Sequence, residues 1–260
     1  MIIGNLFKTI SRYKDLIWHL TKSELKSNVA RTYMGFFWWI LDPLLYMCIF
    51  YFLVHVILDR GGPDYPVFLF IALIPLKWTT SCLVDATNSI QSKGNIIKQI
   101  YVPKVVFVLV KLSINTIKFL ISLTVLLIFL VVYGDSLSIF SLLLPFILLL
   151  HLCWLFPMML ILAHIGVYFK DIKNLMQYVT RVLLYVSPVL YSLSTVPEEI
   201  VKYLYINPLT LLIVSYRNIL MYQDSPLTLE LGILLIASII FTLVGLHLIY
   251  KYDKKYVKVI

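Results

Sequence analysis

The chain has 260 residues, 61% of them apolar and only 13% charged, with a formal net charge of +9 at pH 7. An ordinary soluble domain carries about 25% charged residues, so polar side chains are too few here to cover a water-facing surface. Lipid must solvate much of the chain, which excludes a soluble enzyme, and the mean hydropathy of +0.92 agrees.

The N-terminal stretch Asn5–Arg31 reads as a basic amphipathic helix. Lys8, Arg12, Asp15, His19, Lys22 and Lys26 recur at helical spacing on one face, and Leu6, Ile10, Tyr13, Ile17 and Leu20 keep the same rhythm on the other. Such a stripe packs on a core or lies on lipid. The aromatics that follow, in Met34-Gly35-Phe36-Phe37-Trp38-Trp39, mark a membrane–water interface. Residues 1–33 are therefore predicted to lie on the cytoplasmic membrane surface, apolar face down and cations toward lipid phosphates. Charge and apolarity alternate through this stretch, so it lacks the continuous apolar core of a signal peptide.

Residues 34–260 are predicted to form a single membrane domain. A spanning helix needs ~20 apolar residues, and the qualifying runs are Phe36–Leu58, Pro66–Asn88, Val105–Tyr133, Ile139–Val167, Leu175–Leu193 and Leu229–Tyr250. The expected architecture is all-α, with six transmembrane helices. Lys8, Arg12, Lys14, Lys22, Lys26, Arg31, Lys93, Lys98, Lys104, Lys170, Lys173, Arg181 and the tail cations Lys251, Lys254, Lys255 and Lys258 fall on one side. Arg60, Lys202 and Arg217 fall on the other. The excess places both termini, including the tail 251–260, in the cytoplasm. Because these cations trace the membrane, they do not form a nucleic-acid stripe.

Two connections carry their own structure. On the cytoplasmic side Gly94 breaks a helix, Asn95 can cap a short one, and Ile96, Ile97 and Ile100 give residues 95–102 an apolar face closed by Pro103. That face fits either a soluble partner or the headgroups. On the outer side, 197–226 holds two short helical pieces separated by Asn207-Pro208, which reads as a re-entrant hairpin.

Ionisable groups inside spans are expensive and count as functional candidates. Lys104, Lys111 and Lys118 fall seven apart with Asn115 and Ser122 nearby on the same face. Lys111, Lys118 and Arg181 either serve the pathway or snorkel to the inner headgroups. Lys77 is too deep to snorkel easily, and Asp42 in the preceding span sits at similar depth, so a buried ion pair is expected. His55, His151, His164 and His247 have no partner at metal spacing, and Cys48, Cys82 and Cys153 lie in apolar runs. No metal site is expected. The chain has no phosphate-binding loop, HExxH or nucleophile-elbow motif. It reads as a conduit, without a cofactor of its own, whose energy comes from elsewhere.

Four stretches in order carry a family resemblance. They are Glu24-Leu25-Lys26-Ser27 with Thr32 to Leu44 through Trp38-Trp39-Ile40-Leu41-Asp42-Pro43; Asn95-Ile96-Ile97-Lys98-Gln99-Ile100-Tyr101-Val102-Pro103-Lys104; Tyr168 to Leu175 with Ser187-Pro188-Val189-Leu190-Tyr191; and Ile206-Asn207-Pro208-Leu209-Thr210 with Tyr216-Arg217. Together they resemble the ABC-2 type permeases that export lipid-linked surface polysaccharides. Lys170 stands where that family often has Arg, and a cation at Lys77 is unusual for it.

The resemblance implies a multi-pass protein of the bacterial cytoplasmic membrane, working as a homodimer of permeases with two ATP-binding subunits that hold ATP and Mg²⁺. It implies cargo linked to undecaprenyl diphosphate, such as wall teichoic acid, O-antigen or a capsular-type glycan. Asn95, Ile96, Ile97, Ile100 and Tyr101 would dock the ATPase as a coupling helix. Phe36, Phe37, Tyr46, Tyr51, Tyr185 and Tyr191 would line the channel, and Arg31, Lys104, Lys111 and Arg181 would meet the diphosphate. Two other classes stay open: an integral-membrane enzyme on a polyprenol-linked glycan, and an ion-coupled transporter supported by Asp42, Lys77 and the third-span lysines.

Overall fold

Predominantly apolar runs become long helices here, and several of the breaks fall at Gly, Pro and Asn. The computed structural model describes residues 2–59, 62–134 and 139–259. In chain order these form α1 (Ile2–Ala30), α2 (Trp38–Tyr51), α3 (Tyr65–Thr87), α4 (Gly94–Gln99), α5 (Val105–Tyr133), α6 (Leu144–Tyr168), α7 (Ile172–Val186), α8 (Glu198–Leu204), α9 (Pro208–Arg217) and α10 (Thr228–Val259). A π-helical turn, Phe52–Ile57, continues α2, and another, Asn218–Tyr222, continues α9. Among the described residues there is no strand. Arg60, counted above as an outer cation, and Ile260 of the tail lie outside them.

Among the described residues, five stretches are long and apolar enough to cross a membrane: Gly35–Ile57, Tyr65–Thr87, Val105–Tyr133, Ile139–Tyr168 and Thr228–Val259. The run expected as a fifth span, Leu175–Leu193, is not one continuous helix. Its helical part, α7, has 15 residues, or ~22 Å at 1.5 Å per residue. It stops because Pro188 lacks an N–H and pushes Ser187 out of the helical region, where the backbone turns extended at ψ 148.

α3 is the axis of the bundle. Nearly every residue from Tyr65 to Trp78 is buried, as an all-round apolar helix requires, and α2, α5, α6, α7 and α9 pack around it. Two glycines set the closest approaches. A Cβ at Gly166 of α6 would sit 1.8 Å from the Thr87 carbonyl oxygen, and one at Gly245 of α10 would sit 2.9 Å from Leu160 Cβ. His151 is satisfied within the core, with Nε2 2.8 Å from Thr79 Oγ1 and Nδ1 3.3 Å from the Tyr216 hydroxyl.

α1 departs from the expectation that its apolar face meets lipid. Leu6, Tyr13, Leu16, Ile17 and Leu20 pack against the protein's own core, where α1 lies along α5 and touches α10. The side chains left out of that contact are Ile3, Phe7 and Trp18, exposed on the flank of the same helix.

α8 and α9 meet at Asn207, whose side chain accepts from the Leu209 N–H at 3.0 Å and caps α9. α9 is buried from Leu209 to Ile213 and held by Arg217. That guanidinium donates to the carbonyls of Phe68, Pro188 and Val189 and lies 3.3 Å over the Phe68 ring. Arg217 therefore splints α9, α3 and the break after α7 together.

Candidate functional site

Four helices each turn a polar stripe toward one cavity of about 800 Å³. α2 supplies Trp38, Asp42 and Tyr46, and α3 supplies Lys77, Ser81 and Asp85. α5 supplies Asn115, Lys118 and Ser122, and α7 supplies Gln177, Arg181 and Leu184. Spacings of three and four put each set on a single helix face. Trp39, Trp78, Thr80, Phe119 and Thr180 complete the wall.

The cavity combines broad aromatic faces with hydroxyl and amide groups, and its volume lies within the ~300–1,000 Å³ range of small-molecule sites. Trp78 is fixed by stacking on Phe119, centroids 4.0 Å apart. The polar groups are partly paired. Lys77 Nζ lies 2.7 Å from Asp42 Oδ2 and 4.4 Å from the Tyr46 ring centroid. Asn115 Nδ2 donates to Asp85 Oδ2 at 2.9 Å. The Asp42–Lys77 pair is not buried between two spans, as expected from depth alone. Its side chains are 43% and 41% exposed, because both residues stand on the cavity wall.

Of the aromatics assigned to a channel, only Tyr46 lines this cavity. Phe36 and Phe37 are exposed where the chain turns into α2. Tyr51 stacks on His55, Tyr185 is exposed, and the Tyr191 hydroxyl donates to the Val186 carbonyl.

The diphosphate candidates separate in the same way. Arg181 lines the cavity and Arg31 is exposed, but Lys104 and Lys111 are committed elsewhere. Lys104 is 1% exposed and faces Asp253 at 3.6 Å. Lys111 pairs with Glu24, which also holds Lys93 at 3.3 Å. Neither lysine is free to meet a substrate phosphate.

Those ion pairs flank α4. Glu24 of α1 grips Lys93 just before it, and Asp253 near the end of α10 accepts from the Tyr101 hydroxyl at 2.8 Å just after it. Burial raises the Glu24 carboxyl, but the Lys111 and Lys93 bonds and charges outweigh that and hold it below the ordinary 4.5. Burial and the bond to Asp253 push Tyr101 up to about 12, so it stays a donor at neutral pH. Asn95 does not cap α4, since the cap position is Lys93 with no side-chain bond and Gly94 starts the helix. Nor is the apolar face all on offer. Ile97 is 4% exposed and Ile96 packs on the core, whereas Ile100 and Tyr101 are 56% and 67% exposed.

Asp85 and Asp253 had no part in the sequence reading, Glu24 entered it only within a family stretch and Lys93 only as a cytoplasmic cation. Asp85 was legible in principle, because 77, 81 and 85 make one stripe in an otherwise apolar helix. The partners of Glu24 and Asp253 are far away in sequence and leave no local signal. Among the described residues no cluster of His, Cys, Asp and Glu could hold a metal ion.

The family model for ABC-2 type transporters matches residues 15–221. The chain is 27% identical over 248 residues, 95% of each sequence, to an O-antigen export system permease protein RfbA of Klebsiella pneumoniae. It is 27% identical over 216 residues, 82% of this chain and 83% of the relative, to the RfbA protein of Myxococcus xanthus. The polysialic acid transport protein KpsM of Escherichia coli is 23% identical over 233 residues, 86% of this chain and 87% of its own. With a match running from the middle of α1 to the end of α9, and relatives aligned along most of their length, the chain belongs to the ABC-2 type transporter family.

Proposed function

We propose that the chain is the permease half of an ATP-driven exporter of a lipid-linked surface polysaccharide of the O-antigen or capsular type. Two copies would form the pathway across the bacterial cytoplasmic membrane, with two separate ATP-binding subunits docking below and holding ATP and Mg²⁺. The cargo would be carried on undecaprenyl diphosphate. The relatives' names support O-antigen or capsular glycan over wall teichoic acid.

The observation that carries this reading is the cavity between α2, α3, α5 and α7. Stacking faces beside hydroxyls and amides suit saccharides, which present apolar C–H faces and hydroxyl edges. Both termini would be cytoplasmic, α7 with the turn segment 187–192 would complete a sixth crossing, and the α8–α9 hairpin would sit at the outer leaflet. Irregular backbone at that depth needs protein around it, which the Arg217 bonds supply.

The test is reconstitution of the permease with its ATP-binding subunit in sealed vesicles loaded with lipid-linked glycan. Translocation should require both the subunit and hydrolysable ATP. Transport by the permease alone on a proton gradient refutes the reading and favours an ion-coupled carrier, whereas glycan modified without being moved favours an enzyme.

A further inference from the structure

Inside the cavity the acids are engaged and two cations are not. Asp42 holds Lys77, and Asp85 accepts from Asn115. Lys118 Nζ has the Trp39 ring centroid at 5.8 Å, and the Arg181 guanidinium has the Tyr178 ring at 5.4 Å. Among the described residues neither forms an ion pair. Lys118 is half-buried on α5, where an unpaired cation is costly, and Arg181 is exposed on α7, so both are free to take a negative group brought from outside. With Lys77, Lys118 and Arg181 against Asp42 and Asp85, the wall carries a net charge of only +1. That balance matches one carboxylate better than a multiply charged diphosphate. Arg181 can present a planar fork to a carboxylate, and Trp39 stands beside Lys118 as a face on which a sugar ring can lie.

We infer that this cavity reads acidic saccharide units, with Lys118 and Arg181 taking the carboxylate of a uronic-acid-type residue while Trp39 stacks on its ring. The inference rests on the cavity being part of the polysaccharide path. A neutral unit would meet the same aromatic face and hydroxyls without the charge-assisted bonds. The selectivity therefore belongs to the cations and the general affinity to the aromatics.

The full-length permease in lipid nanodiscs, titrated with two matched probes, tests this. One probe is an oligosaccharide containing glucuronic acid, and the other is the same oligosaccharide with its carboxyl groups reduced to neutral hydroxymethyl groups. The acidic probe should bind about tenfold tighter, ~1.4 kcal/mol. Lys118→Met and Arg181→Gln should each abolish the preference, and Lys118→Arg should keep it. Trp39→Ala should weaken both probes alike. Neither cation has an internal salt bridge to lose, and thermal unfolding of the variants checks that they fold. Equal affinity for the two probes, or a preference that survives both cation variants, overturns the inference. So does Lys118-dependent binding of inorganic diphosphate without any acidic-probe preference, which assigns the cations to the lipid linkage. Failure of the path reading looks different: neither probe binds, and Trp39→Ala leaves export unchanged.

Discussion

Removing one half of the Lys104–Asp253 pair should destabilise the protein more than removing both. The two side chains are 1% and 9% exposed and 3.6 Å apart, so whichever remains keeps a charge in a water-poor site. The survivors are not equivalent. After Lys104→Met, Asp253 still accepts from the Tyr101 hydroxyl at 2.8 Å and from the backbone N–H of residue 104 at 3.4 Å. After Asp253→Asn, Lys104 keeps the Tyr101 ring, 5.1 Å to the centroid, and only a neutral amide oxygen in place of its counter-charge. Losing one partner of a buried pair costs about 3–5 kcal/mol. Lys104→Met should fall at the lower end of that range and Asp253→Asn at the upper. The double variant should recover at least half of the larger loss. Equilibrium unfolding in mixed micelles, followed by tryptophan fluorescence, gives all three values for a double-mutant cycle. Single variants within ~0.5 kcal/mol of the parent would refute the reasoning, as would a double variant costing the sum of the two.

Four further outcomes follow from the same geometry. Gly166→Ala should prevent the close approach of α6 to Thr87, where a Cβ would meet the carbonyl oxygen at 1.8 Å, and the loss should appear as reduced folded yield in detergent gel filtration. Ile100→Asp, at a position 56% exposed, should leave the fold intact yet abolish co-purification of an ATP-binding subunit. Ile97→Asp, at 4% exposure, should instead fail to fold, so retention of the subunit by the Ile100 variant sinks the docking role. Asp42→Asn should change stability by less than ~1 kcal/mol because the pair is solvent-accessible, while slowing export in vesicles. Glu24 is held below its ordinary value of 4.5 when folded. Its stabilisation is therefore full above that unfolded value and is lost as pH falls through the folded one, and Glu24→Gln should flatten the acid limb of the thermal-stability profile.

The long spans were legible because lipid imposes one crude requirement, about 20 predominantly apolar residues, and Tyr65–Thr87 or Val105–Tyr133 satisfies it even with two charged residues in each. α7 ends earlier than the run Leu175–Leu193 suggested, for a reason already present in the sequence. The apolar count ran through Ser187-Pro188, but a proline there ends the helix however greasy its flanks. The stripe on α1 shows a deeper limit. Leu6, Tyr13, Ile17 and Leu20 would look the same whether they faced acyl chains or leucines of α5 and α10, since both solvents are apolar. Only the shape of the partner surface decides, and that surface is assembled from residues far away in the sequence.

The cations expose the same limit in electrostatic form. Lys104, Lys111 and Lys118 fall seven apart in one helix and look equivalent in sequence, yet the structure gives them three different fates. Lys104 is tied to Asp253, Lys111 to Glu24, and Lys118 stands unpaired on the cavity wall. With 22 Lys and Arg against 13 Asp and Glu, some cations must be left without an internal partner, and their location then carries information. Exposed ones near the helix ends can meet lipid phosphate, which explains a charge bias without any substrate. Lys118 instead faces the cavity lined by α2, α3, α5 and α7. A cation whose helix turns it inward, past acids that are already engaged, marks where counter-charge has to come from a passing ligand. Depth in the sequence found the expensive residues, and only their partners distinguish the ones that hold the fold from those left to hold cargo.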